Sequence, residues 1–234
     1  MNSILGALFV LTAFAVGIVR GEESAETFSK GGDKQNSIPY LVTKPDDFEA
    51  QQEYPLIIFL HGRGESGDDL KLVKVHGPFK KAKELQLPVL IVAPQTPIGK
   101  NWDIDMLSAL VDHLLEELPV DRKRVYLTGL SLGGYGTWNL AAQRPELFAA
   151  IAPICGGGDP LQADNLKELP IWAFHGAKDS VVPLKNTADM INALYNLGSD
   201  ARFTVYSDAN HDSWTETYNN PAFYEWLLSQ KKED

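Results

Sequence analysis

The residues best able to do chemistry stand at three separated positions, Ser131, Asp179 and His211. Ser131 is the centre of Gly129-Leu130-Ser131-Leu132-Gly133, with the short apolar run Val125-Tyr126-Leu127 before it and a helical pattern after it. A Gly-x-Ser-x-Gly segment between strand and helix demands a very tight turn. Its small flanking residues avoid collisions, and its central residue is pressed into a strained backbone that lifts the hydroxyl out of the fold. A serine hydroxyl is a poor nucleophile until an imidazole takes its proton, and that imidazole needs an acid to hold its tautomer. In this setting the chain order is serine, acid, histidine.

Downstream of Ser131 stand only His175 and His211. His175 closes the apolar run Pro170-Ile-Trp-Ala-Phe-His175 and leads into Ala177-Lys178-Asp179, so Asp179 falls just past a strand end. His211 lies in the polar stretch Ser207-Asp208-Ala209-Asn210-His211-Asp212, after the strand-like 202–206. That order and placement assign nucleophile, acid and base to Ser131, Asp179 and His211. Asp159, in the loop after another strand, is an alternative acid for the same histidine. His175, His76 and His113 are expected to be structural, and Asp208 and Asp212 to be solvated or local turn acceptors.

Acyl transfer at a serine also needs donors for the developing oxyanion. The apolar run 54–60 ends in His61-Gly62-Arg63-Gly64-Glu65-Ser66-Gly67, a bend whose backbone N–H groups can serve. Arg63 is the expected donor of that loop, joined by Leu132 after the nucleophile. The loop is not a phosphate cradle, because the Gly-Lys-Ser/Thr ending is missing.

The elements that must carry these residues follow from periodicity. Apolar runs at 56–60, 89–93, 125–128, 149–154, 171–174 and 203–206 are expected as strands buried on both faces, with a first strand near 38–42. Helices are expected at 103–118, 132–143, 183–197 and 221–230; in the first of these Met106, Leu107, Leu110, Val111, Leu114 and Leu118 recur at three- and four-residue spacing. Strands alternating with helices imply a mostly parallel sheet covered on both faces, with its site beyond the carboxyl ends of the strands. At 234 residues and 44% hydrophobic content, one domain over residues 37–234 can bury a full core.

The motifs Leu60-His-Gly-Arg-Gly-Glu-Ser-Gly-Asp68, Gly129-Leu-Ser-Leu-Gly-Gly-Tyr-Gly-Thr-Trp138, His175-Gly-Ala-Lys-Asp-Ser-Val-Val-Pro183 and His211-Asp-Ser-Trp214 resemble those of α/β-hydrolases. The likeness is to the phospholipase/carboxylesterase and dienelactone-hydrolase kind. More narrowly, it is to the secreted "predicted peptidase" group beside the feruloyl-esterase-like enzymes. It implies an α/β-hydrolase fold with Ser131, Asp179 and His211 as triad and Arg63 and Leu132 as oxyanion donors. It also implies an ester substrate cleaved through an acyl-enzyme. The segment 155–170 is too short for a sizeable lid, so an open, shallow site is expected. That disfavours interfacial lipolysis, and because these residues leave no room for a propeller, size-gated peptide cleavage is not expected. Trp102 and Trp214 are candidate pocket aromatics, and Trp138 is expected in the core.

Residues 4–19 form an uninterrupted apolar run followed by Arg20, Gly21 and polar residues. It is short for a membrane span and is expected as a secretory signal peptide over 1–21, with an uncleaved anchor as the alternative. Residues 22–36 are expected as a flexible polar leader. The balance of 21 basic against 31 acidic residues, net −10, disfavours nucleic acid and anionic membranes as partners. The single cysteine, Cys155, is expected in the core, and no metal-ligand spacing or cofactor motif appears. A small or polymer-borne ester is the expected partner. A serine peptidase or amidase is the alternative within enzymes, and a catalytically silent binding protein the alternative outside them.

Overall fold

The run Tyr54–Leu60 is apolar throughout because both faces of its strand are covered. Leu56, Ile58 and Leu60 point into one hydrophobic cluster, whereas Ile57 and Phe59 point into another. The computed structural model describes residues 22–233. The expected signal peptide at 1–21 lies outside the described residues.

Eight strands form one sheet: β1 (Glu23–Ser29), β2 (Ser37–Thr43), β3 (Tyr54–Leu60), β4 (Leu90–Pro94), β5 (Val120–Leu130), β6 (Ala150–Ile154), β7 (Trp172–Gly176) and β8 (Arg202–Tyr206). Their spatial order is β1-β2-β4-β3-β5-β6-β7-β8. β1 and β2 pair antiparallel, as do β2 and β4; every other pairing is parallel. This is the mostly parallel sheet that the alternating pattern implies.

Residues 22–36 correct one expectation. Instead of a leader throughout, Glu23–Ser29 forms edge strand β1, in register with β2 from Glu23↔Thr43 to Ser29↔Ser37. An edge strand needs hydrogen bonds on one side only, so a polar segment suffices. Phe28 anchors it by packing on the core and against the His113 ring at 5.0 Å.

Helices cover both faces. On one side lie α2 (Ile104–Glu117), α3 (Leu132–Gln143) and α4 (Lys185–Asn196); on the other lie α1 (Phe79–Glu84), α5 (Trp214–Asn219) and α6 (Pro221–Ser229). The Asp103 carboxylate caps α2 by accepting from the Met106 amide at 3.0 Å. Asn220 caps α6, with Pro221 at its first position where the missing N–H costs nothing. α3 carries Gly133, Gly134 and Gly136 in its first turns. Each lowers helix propensity by about 1 kcal/mol relative to alanine. Complete burial of Leu140 and near-complete burial of Trp138 offset that, at about 1.5–3 kcal/mol for a large apolar side chain. The segment 155–170 folds down as a helical turn, Pro160–Leu166, with Ala163 and Leu166 buried against α3 and α4. It forms no large lid.

Candidate active site

Ser131 joins β5 to α3 with φ 52° and ψ −114°. An L-residue held there costs on the order of 1–3 kcal/mol, tolerated because its surroundings dictate it. Its N–H donates to the Ile154 carbonyl at 2.9 Å, and its own carbonyl accepts from the Tyr135 amide at 3.1 Å. The flanking glycines allow the close approach. A Cβ on Gly133 would fall on the Leu60 carbonyl, and one on Gly129 would strike the Gly133 carbonyl.

The acid and base arrive on two loops that are zipped together. After β7, the amide of Ala177 donates to the Tyr206 carbonyl at 2.9 Å, and that of Lys178 to the Ala209 carbonyl at 3.0 Å. This backbone pairing brings the loop of Asp179 against the loop of His211. The Nδ1–H of His211 donates to Asp179 Oδ2 at 2.7 Å, and the Ser131 hydroxyl donates to His211 Nε2 at 2.9 Å. A carboxylate can only accept, so the contact fixes which imidazole nitrogen carries the proton. The Asp179 side chain is wholly buried. Burial alone would raise its pKa. The hydrogen bond from His211 and those from the amides of Val182 and Val181 outweigh it, leaving the carboxyl below its usual range. It is therefore ionised across the neutral range.

Asp159 does not reach this histidine. It is exposed and caps its own turn, accepting from the Leu161 amide at 3.0 Å. Asp208 pairs with Lys178 at the surface, and Asp212 accepts from the Thr215 amide and hydroxyl. His113 meets Phe28 and the Tyr40 hydroxyl, and His76 lies beside Trp214 and Glu65.

The bend after β3 is organised by His61, a residue the motif reading passed over. Its ring is buried, its Nδ1–H donates to the Gly62 carbonyl at 2.6 Å, and its Nε2 accepts from the Thr96 amide at 3.1 Å. Burial drives its pKa down to about 4, against a smaller opposing effect from the Gly62 carbonyl, so it is neutral. Arg63 opens the short turn that follows, and Leu132 opens α3. Both line the same cleft as Ser131.

That cleft has a volume of about 410 Å³ and runs from Ser131 between the Arg63 bend and α3. Trp102 forms part of its wall, its ring tilted against that of His61 at 4.8 Å between centroids, with Ile104 and Val182 as apolar neighbours. Polar groups gather in it: Asn101, which accepts from the Arg63 guanidinium at 3.1 Å, together with Tyr135 and Asn139. No motif marks Asn101 or Asn139, and Tyr135 stands within the Gly129–Trp138 motif without a role of its own there; the three converge only when α3 packs beside the loop before α2. Trp214 is not part of this wall, contrary to expectation. It begins α5 immediately after the His211 loop and meets the His211 ring edge-on at 5.2 Å.

Cys155 is buried, with burial pushing its thiol up to about 12. Its sulfur joins carboxylate and imidazole atoms of Asp179 and His211 in the only cluster of potential metal ligands among the described residues, all within 4.8 Å. The Asp179–His211 hydrogen bond already engages the atoms a cation would need, and the thiol is protonated. Among the described residues no helix is long and apolar enough to cross a membrane.

Comparison with known proteins gives consistent results. The model of the dienelactone hydrolase family matches residues 97–225, more than half of the chain. A solved thermostable esterase is 34% identical with a TM-score of 0.82; the match covers 90% of this chain and 63% of that one. Among curated proteins, "Probable feruloyl esterase C" of Aspergillus niger is 25% identical over 82% of this chain and 73% of its own length. The "Bifunctional acetylxylan esterase/xylanase XynS20E" of Neocallimastix patriciarum is 30% identical over 74% of this chain and 26% of its own length.

Proposed function

The chain belongs to the dienelactone hydrolase family and is a hydrolase of the esterase kind; from that premise we propose that it cleaves carboxylic esters through Ser131, His211 and Asp179 and a covalent acyl-enzyme. The observation that carries the proposal is the unbroken relay Ser131 Oγ–His211 Nε2, 2.9 Å, and His211 Nδ1–Asp179 Oδ2, 2.7 Å.

In this mechanism Ser131 Oγ attacks the ester carbonyl carbon while its proton passes to His211 Nε2. The imidazolium that forms is stabilised by the buried Asp179 carboxylate, which is not itself protonated. The oxyanion is held by the backbone N–H groups of Arg63 and Leu132, each contributing about 3 kcal/mol if well placed. Collapse of the tetrahedral intermediate breaks the carbon–oxygen bond to the alcohol, which leaves with the proton from His211. Water then attacks the acyl-Ser131 carbonyl, giving its proton to His211. The second collapse releases the carboxylic acid and returns the proton to Ser131.

The cleft supports an acyl group with an aromatic or extended apolar body and polar substituents. Trp102, Ile104 and Val182 supply the apolar wall, and Asn101, Asn139, Tyr135 and Arg63 the hydrogen-bonding partners. A hydroxycinnamoyl ester has that character, in keeping with the feruloyl esterase name of the Aspergillus relative. The substrate is proposed to be a small or polymer-borne ester met outside the cytoplasm, given the apolar run at residues 4–19.

The test is hydrolysis of p-nitrophenyl esters from acetate to decanoate, a ferulate ester and a panel of peptide p-nitroanilides, using wild type and Ser131→Ala. Ester turnover is expected, reduced on the order of 10⁴-fold or more in the variant. Activity confined to the anilides would replace the esterase with an amidase. Silence on all substrates, with no fluorophosphonate labelling of Ser131, would leave a binding protein.

A further inference from the structure

A second histidine touches the carboxylate that orients the first. His175 is the next-to-last residue of β7, and none of its surface is exposed. Its Nε2 stands 2.9 Å from the Val182 carbonyl and 3.2 Å from Asp179 Oδ2. Both neighbours only accept, so Nε2 carries a proton and shares it between them. Its Nδ1 faces the Thr187 hydroxyl of α4 at 2.8 Å, and that hydroxyl donates to the Gly156 carbonyl at 2.7 Å.

The consequence falls on Asp179. Its Oδ1 accepts from the amides of Val181 and Val182, both at 2.9 Å. Its Oδ2 faces His211 Nδ1 at 2.7 Å and His175 Nε2 at 3.2 Å. With both oxygens engaged, rotation about Cβ–Cγ breaks contacts at each end. Without His175, the side of Oδ2 away from His211 would face a cavity, and the carboxylate could tilt off the base.

We propose that His175 is a positioning residue of the hydrolytic site: its Nε2–H pins Asp179 Oδ2 in line with His211 Nδ1. The inference rests on the serine-hydrolase reading above and adds a group to it. Burial favours the neutral form and lowers the His175 pKa, against the Val182 carbonyl and the Asp179 carboxylate. The ionisable groups facing it are Asp179 from its own loop and His211 from the loop after β8. α4 presents the Thr187 hydroxyl, and the segment after β6 presents the Gly156 carbonyl and the Cys155 thiol, which lies within 4.8 Å of the Asp179 and His211 side-chain atoms.

The test compares His175→Phe and His175→Gln with wild type on p-nitrophenyl acetate. His175→Phe is expected to lower kcat on the order of 10²-fold with KM within about twofold, the scale expected when a catalytic group is misplaced. His175→Gln, whose amide can donate to Asp179, should recover at least about a third of the lost free energy, that is about fivefold in kcat. An unchanged kcat in a folded His175→Phe would overturn the proposal. Should that variant fail to fold, nitrogen-15 spectra of histidine-labelled wild type decide: a proton on His175 Nε2 supports the proposal, and a bare Nε2 overturns it. If Ser131→Ala keeps its activity, the serine-hydrolase reading itself falls. If Ser131→Ala is inactive and His175→Phe is normal, only the positioning role is lost.

Discussion

The imidazole of His61 holds the carbonyl of Gly62 at 2.6 Å, and through it sets the plane of the peptide bond that ends in the Arg63 amide. The described peptide bonds are all trans, so that amide N–H points away from the carbonyl His61 has captured. A wholly buried ring thus fixes the orientation of the peptide that carries the Arg63 N–H, the proposed oxyanion donor. The Thr96 amide on Nε2 holds the ring in the tautomer that can do so.

This arrangement has a price in acid. An unfolded chain would protonate His61 near the ordinary value of 6.5, but the folded chain resists until about 4. Between those values the unfolded state binds more protons, so stability falls as pH falls, by about 3 kcal/mol across the window. Urea denaturation of wild type and His61→Gln at pH 7 and pH 4 checks this. The wild type should lose that much more stability than the variant on acidification, and equal losses would show that His61 titrates normally.

Removing the charge of the buried acid tests its role against that of its alternative. Asp179→Asn is expected to lower kcat on the order of 10⁴-fold, because an amide cannot hold His211 in the tautomer that accepts the serine proton. Asp159→Asn should change kcat less than twofold, since this exposed side chain only caps a turn that asparagine caps equally well. Comparable losses in the two variants would mean that both loops feed the base.

The turn at the nucleophile leaves no room for one methyl group. In Gly133→Ala the new Cβ would collide with the carbonyl of Leu60, a backbone atom fixed in the centre of the sheet. The expected cost is about 1–3 kcal/mol. For a chain of this size that is a fall in Tm of roughly 2–12 °C. Circular dichroism follows the melting, and fluorophosphonate labelling follows the exposure of Ser131. A variant with unaltered melting and labelling would show that the turn can open without loss.

What could be seen in the sequence depended on how many faces of a segment are buried. β3 and β5 sit in mid-sheet, covered on both sides, and their continuous apolar runs announced them. β1 presents one anchoring residue, Phe28, and borrows its order from β2, so its composition resembled a leader. α5 is only six residues long and too short to establish a period. Ser131, Asp179 and His211 were visible because each stands at a strand end in a distinctive local setting. His61 and His175 were plainly present in the same motifs, but their hydrogen bonds join atoms that only the fold brings together. Trp214 misled because nearness to His211 along the chain did not decide which side of the imidazole its ring would take.

β5 and β6 are joined by five register pairs, as are β7 and β8. Between β6 and β7 there is one register pair, Ile154 with Phe174, and a single isolated bridge, Ile151 with Ile171. Ser131 extends from β5 on one side of this seam, while Asp179 and His211 extend from β7 and β8 on the other. The nucleophile and its base therefore belong to two separately laced panels of one sheet, and their 2.9 Å contact spans the loosest lacing. A displacement of the panels too small to disturb the ladders within either one would still part the hydroxyl from the imidazole. Being able to react is thus a stricter condition on this molecule than being folded.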